Sequence, residues 1–148
     1  MDFQMDAMDL RFMDISHRID QLYADYAKSR GLSYMRFWVM EVLYRRAGDC
    51  TQKIIVDETH YPKQTVNLII KDLLKQGYVA LEELPDDRRN KRIALTESGA
   101  AWLEGLFAPI WSAEAAASAR IPDAEWSKLL SDLRRYTEAF EREAEKIL

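Results

Sequence analysis

Between Pro62 and Leu95 the spacing of apolar residues switches from a helical to a strand period, and few small folds accommodate that switch. From Lys63 to Gln76, Val66, Ile69 or Ile70, Leu73 and Leu74 recur at steps of three and four residues, the stripe of an amphipathic helix. Pro62 suits the first turn of that helix, where its missing N–H would go unpaired anyway, and Gly77 ends it. Tyr78-Val79-Ala80-Leu81-Glu82 and Lys91-Arg92-Ile93-Ala94-Leu95 then favour strands, with turn chemistry between them in Leu84-Pro85-Asp86-Asp87-Arg88-Arg89-Asn90. A helix followed at once by a basic-tipped β-hairpin predicts a wing.

The flanking sequence is helical. Met5, Met8, Phe12, Ile15, Ile19, Leu22 and Tyr26 form one stripe of a long first helix that stops at Gly31. Ser33 is placed to cap a second helix running through Tyr44, and Thr51 a short third one holding Ile54, Ile55 and Val56. His60 and Tyr61 fall in the turn before Pro62, so the third and fourth helices make a helix-turn-helix. Thr96 is placed to cap a fifth helix through Trp102, Leu106 and Ile110, with a kink expected at Pro109. Pro122 and Asp123 open a sixth, whose stripe is Trp126, Leu129, Leu133, Tyr136, Phe140 and Ile147. The expected fold is mainly α with a small β-hairpin wing: a winged helix-turn-helix of six helices. The expected organisation is a single domain, 1–148, with a DNA-binding lobe at 32–99. Helices within 1–31 and 100–148 have apolar stripes in need of cover and would form a dimerisation lobe.

Charge excludes less than it suggests. The chain carries a net −4, yet residues 51–95 carry +1 while 96–148 carry −4. The least acidic stretch therefore contains the helix-turn-helix and hairpin, and a local basic surface can face phosphates on an acidic protein. The sequence lacks a nucleophile elbow, a phosphate loop and a metal-ligand spacing, so catalysis is not expected and no cofactor is assigned. With Cys50 the single cysteine and His17 and His60 the two histidines, a zinc site is not expected either. The acidic N-terminus has no signal-peptide layout and no apolar run could span a membrane, which predicts a cytoplasmic protein without membrane partners.

The residue types point to double-stranded DNA. On the fourth helix, Lys63, Gln64, Thr65, Asn67, Leu68 and Lys71 are the exposed positions of the pattern. Gln and Asn pair with adenine edges in the major groove, Thr reaches a thymine methyl, and Lys63 and Lys71 suit phosphates. In the hairpin, Arg88, Arg89, Lys91 and Arg92 crowd five positions, and an Arg-bearing β-tip is suited to a narrow minor groove. Asp87 is placed to orient Arg89. For a small-molecule effector, Phe37, Trp38 and Trp102 offer aromatic faces, with His17 and Arg18 as anion partners. The alternative reading is a winged-helix protein–protein interaction module without DNA binding, for which an acidic recognition surface would be the sign.

Asp87-Arg88-Arg89, five further residues, then Leu95-Thr96-Glu97-Ser98-Gly99 resembles the D-x-R-x5-L-T-x-x-G wing signature of the MarR family of bacterial transcriptional regulators. Pro62-Lys63-Gln64-Thr65-Val66, followed by Leu73-Leu74-Lys75-Gln76-Gly77-Tyr78-Val79, resembles that family's recognition helix and its exit into the wing. Gly31-Leu32-Ser33 with Phe37 and Leu43 resembles the entry to its second helix. The resemblance implies a repressor that acts as a homodimer on a pseudo-palindromic operator. In it Arg89 would be the minor-groove residue, Asp87 its orienting partner and the helix after Pro62 the major-groove reader. It also implies release of DNA by a small aromatic or anionic effector. Two departures stand out: Tyr61-Pro62 where a small polar residue is usual, and Cys50 in a loop unlike the cysteine position of peroxide-sensing members.

Overall fold

The computed structural model describes residues 7–84 and 87–148, and side chains for 8–83 and 91–148. Along the chain run α1 (Ala7–Ser29), α2 (Tyr34–Arg45), α3 (Gln52–Thr59), α4 (Lys63–Lys75), β1 (Val79–Leu84), β2 (Asp87–Leu95), α5 (Glu97–Ser118) and α6 (Asp123–Ala144). This is the mainly helical fold with one antiparallel hairpin that the period switch predicts. The chain divides into two compact units, residues 1–108 and 109–148, and the proline expected to kink the fifth helix sits at the boundary.

In the first unit, local chemistry sets the helix starts. Ser33 Oγ accepts from the Arg36 N–H at 3.2 Å, and Thr51 Oγ1 from the Ile54 N–H at 3.3 Å. Thr96 Oγ1 accepts from the Gly99 N–H at 3.0 Å. Each cap satisfies one backbone donor that the helix itself cannot. His60 ends α3 in the left-handed region, at φ 56°, so the chain turns sharply into Pro62 and α4.

The core of this unit joins every element. Phe37, Val39, Met40 and Leu43 of α2 are buried, as are Ile55 of α3, Val66, Ile70 and Leu73 of α4, and Leu103 and Phe107 of α5. Val79 and Ile93 bring the hairpin onto it. Phe37 lies at its centre, with ring centroids 5.2 Å from Phe107, 5.4 Å from Trp38 and 6.1 Å from Tyr26. The Tyr26 hydroxyl donates to the Leu106 carbonyl at 2.6 Å, fixing α1 to this half of α5.

β1 and β2 pair in regular register from Val79↔Leu95 to Glu83↔Lys91, then shift between Glu83 and Leu84, where Leu84 faces Asp87. The hairpin is longer than its apolar pattern suggests, because Asp87–Asn90, read from sequence as turn, belong to β2. A third segment joins it: the α2–α3 turn bridges Thr51 to Arg92, and the Ile93 N–H donates to the Cys50 carbonyl at 2.7 Å.

In the second unit, α6 opens after Pro122 without a side-chain cap and buries none of its residues. It is held locally by pairs such as Lys128–Asp132, at 2.5 Å across one turn. Leu129, Leu130 and Phe140 are exposed.

Candidate nucleic-acid interface

Four elements of the first unit, α3, α4, β1 and β2, meet around a cleft of about 540 Å³. Lys53 of α3, Lys63, Asn67 and Lys71 of α4, and Lys91 of β2 line it, over an apolar floor that includes Ile70 and Ile93. The cleft therefore presents cations at its rim and α4 along one wall. Lys53 is 2.5 Å from Asp57, one turn along α3. Lys63 and Lys71 form no ion pair among the described residues and are exposed, as is Gln64. Leu68 is 67% exposed, so an apolar side chain stands on the outer face of a helix otherwise clothed in polar groups. Thr65 and Asn67 are half-buried.

The helix is fastened at both ends. Near its start, Gln52 Nε2 of α3 donates to the Lys63 carbonyl at 3.2 Å. Pro62 supplies no side-chain cap, so the first-turn N–H groups of α4 face outward at the positive end of the helix dipole. Near its end, Arg36 of α2 pairs with Asp72 and donates to Gln76 Oε1 at 3.1 Å. The Arg36 guanidinium, with Gln76 Nε2 also donating at 2.9 Å, holds the Asp72 carboxyl below the usual carboxylate range. α3 is tied to α2 in the same way: Arg45 first, then Arg46, hold Glu58 low.

The sequence-predicted residues separate into groups. Lys63, Asn67, Lys71 and Lys91 share the cleft between α4 and the hairpin, while Gln64 and Thr65 lie on α4 outside its lining. The expectations for the side chains of Asp87, Arg88 and Arg89, including an Asp87–Arg89 pair, lie outside the described residues. Arg92 has partners within the protein: its Nε donates to Glu82 Oε2 at 2.9 Å and its Nη1 to the Gly48 carbonyl at 3.2 Å, and with Nη2 on the same carboxylate three of its five N–H donors are engaged. Lys53 and Gln52 were missed. They sit on the short third helix, whose register against α4 is set by tertiary packing that no local pattern reports.

The residues expected to hold an effector do not gather round one cavity. Phe37, expected to face a ligand, is 1% exposed and lies in the core, packed against the rings of Tyr23, Trp38 and Phe107. Trp38 packs against Tyr23 at 4.9 Å and Tyr34 at 5.9 Å. His17 lines a shallow depression with Asp20 and Tyr34, and Arg18 a separate one with Ile15 and Leu22. Trp102 stacks on Tyr78 at 4.3 Å and borders a third depression, of about 340 Å³, with Arg30 and Leu106.

Cys50 is fully buried, and burial, with Glu58 and Asp49 nearby, pushes its thiol up to about 12. Thiolate is the reactive form, so labelling by a disulfide reagent at pH 8 should run about 10³-fold slower in the folded chain than in denaturant. Labelling at comparable rates in the two states would restore a redox role for this residue.

The described helices include none long and apolar enough to cross a membrane. A sequence model of the MarR family matches residues 30–90, from the end of α1 through the hairpin. Among curated proteins, the HTH-type transcriptional repressor YetL of Bacillus subtilis (strain 168) is 26% identical over 128 residues, 84% of this chain and 77% of the relative. Among solved structures, NMB1585, a MarR family regulator from Neisseria meningitidis, is 28% identical, covers 97% of this chain and 100% of its own, and superposes with a TM-score of 0.81. MepR of S. aureus in its DNA-binding conformation is 19% identical over 91% of this chain and 99% of its own, with a TM-score of 0.76, and has also been solved as a DNA complex. The wing signature, the family match and the likeness along nearly the whole length agree: this chain is similar to the winged helix-turn-helix transcriptional regulators of the MarR family and shares their fold.

Proposed function

We propose that the protein is a sequence-specific DNA-binding repressor acting as a homodimer on a pseudo-palindromic operator. The observation that carries this reading is the cleft between α4 and the hairpin, lined by Lys63, Lys71 and Lys91 together with Asn67, with Gln64 exposed on the same helix. Lysines at the rim suit phosphates, and the amides between them suit adenine edges. The DNA complex of MepR, a protein of the same fold, supports it. In the dimer, α4 of each copy would enter successive major grooves about 34 Å apart while the wings reach the flanking minor grooves.

The test is fluorescence anisotropy against the DNA upstream of the protein's own gene, with scrambled duplex as the comparison. Specific binding should be at least about 10³-fold tighter than binding to the scrambled duplex. Arg89→Ala should cost about 1–3 kcal/mol of operator affinity and leave the thermal melt unchanged. Equal affinity for both duplexes would overturn the reading in favour of a protein-binding module.

The dimer itself is supported by apolar side chains that a single chain leaves in water. Ile15, Ile19 and Leu22 on α1 are 55%, 50% and 68% exposed, and Phe140 on α6 is 63% exposed. Helices with such faces bury them against a partner. Sedimentation equilibrium at micromolar concentration should give twice the 17.3 kDa chain mass. A monomer at that concentration would remove the symmetric operator from the proposal.

Release by a small aromatic or anionic effector is the regulatory half of the same reading. Such a ligand acts only if it binds the non-binding conformation better than the DNA-bound one. The depression between Arg30 and Trp102 offers it a guanidinium and an indole.

A further inference from the structure

We propose that Arg92 is a positioning residue that sets the direction of the wing, and that Glu82 and the Gly48 carbonyl are its anchors. The proposal rests on the DNA-binding reading and deepens it. A two-stranded hairpin is marginal by itself, so what it grips decides where its tip points. Here β2 is held by the Ile93 N–H on the Cys50 carbonyl and by the Thr51–Arg92 bridge, both to the α2–α3 turn. The Arg92 side chain doubles that attachment. Its Nε and Nη2 both reach the Glu82 carboxylate directly across the ladder, while Nη1 reaches Gly48. Gly48 has φ +93°, a backbone conformation that glycine tolerates.

One planar fork thus spans β1, β2 and the turn that leads into α3. Lysine, a point charge without that fork, cannot bridge the same three segments. Next in register is Glu83↔Lys91, and beyond it the chain continues into the Asp87–Arg89 stretch. A change of angle at Arg92 therefore moves every cation nearer the tip. Both partners are roughly two-fifths exposed, so the pair adds little to global stability. Its effect falls on geometry.

The charge of Glu82 gives the experiment its sign. A carboxylate beside a phosphate-facing surface repels DNA, so on charge considerations alone Glu82→Gln tightens binding. The positioning role requires the reverse. We would measure anisotropy with the same upstream duplex for the full chain, Glu82→Gln, Arg92→Lys and Arg92→Gln, each across a salt series. Amide exchange at Ile93 would be followed alongside. Glu82→Gln and Arg92→Lys should each weaken binding about tenfold, the scale of a lost hydrogen bond to a charged group. Their slopes of log affinity against log salt should match the wild type, and exchange at Ile93 should quicken in both.

Tighter or unchanged binding by Glu82→Gln overturns the proposal, as does wild-type affinity for Arg92→Lys. A shallower salt slope for Arg92→Gln would make Arg92 a phosphate contact instead. Failure of the wild type to prefer the upstream duplex would sink the DNA reading itself. Unchanged exchange at Ile93 in Glu82→Gln would independently sink the clamp.

Discussion

Raising salt from 50 to 200 mM should weaken operator binding roughly 10⁴-fold, although the protein carries a net negative charge. Net charge acts at long range and is screened within a Debye length, whereas counterion release depends on the cations that actually meet phosphates. Lys63, Lys71 and Lys91 border the cleft in each chain, and the Arg88–Arg89 stretch extends β2 beyond them. Arg92 is left out because its guanidinium is already neutralised by Glu82. About four phosphates per chain, or about eight per dimer, give a slope near −7 in log affinity against log salt. Lys71→Ala should lower the magnitude of that slope by about two in the dimer, one for each copy, and weaken all sequences alike. The measurement is a salt titration of anisotropy on specific and scrambled duplexes. A slope shallower than about −3 on the specific duplex would mean that some other surface is reading it.

The elements of this fold are legible in the sequence because their signals are local. Ser33, Thr51 and Thr96 mark helix starts by a side-chain oxygen three residues from the N–H that it accepts, and each does so in the structure. The stripe of Val66, Ile70 and Leu73 is buried as its spacing requires. What the sequence hides is pairing across distance. The full length of β2 is invisible because Asp87–Asn90 have turn-like side chains, and their extended backbone is set by the ladder. Arg92 reads as one more cation in a basic run, since nothing local shows that Glu82 and Gly48 face it. Phe37 reads as a ligand contact for the same reason: an aromatic on a helix declares its hydrophobicity and not its neighbours. The packing of α1 on α2 within the first unit is likewise a pairing that the stripe of α1 does not declare.

Replacing Gly99 by alanine should destabilise the fold by about 3 kcal/mol, more than any surface change proposed above. Gly99 is the last residue of the Leu-Thr-x-x-Gly run, and its need is geometric. A Cβ built there would lie 1.9 Å from the Tyr78 carbonyl oxygen and 2.8 Å from its carbon. Both atoms are backbone and cannot swing aside as a side-chain end would. Three attachments hold that backbone in place: the Thr96 N–H donates to the Tyr78 carbonyl at 3.1 Å, Thr96 Oγ1 donates to the Gly77 carbonyl at 2.7 Å, and the Tyr78 ring stacks on Trp102. To admit one methyl group, α5 must back away from the junction of α4 and β1, and all three contacts loosen together. Since that junction aims the hairpin from the end of α4, the proposed DNA affinity should fall along with stability. For a chain of this size the melting temperature should drop by about 10 °C. Ser98→Ala, one residue earlier and exposed, should melt within about 2 °C of wild type and serves as the control. If Gly99→Ala also melts there, the close approach is not what requires glycine, and the contact between α5 and the base of the wing is softer than its geometry implies.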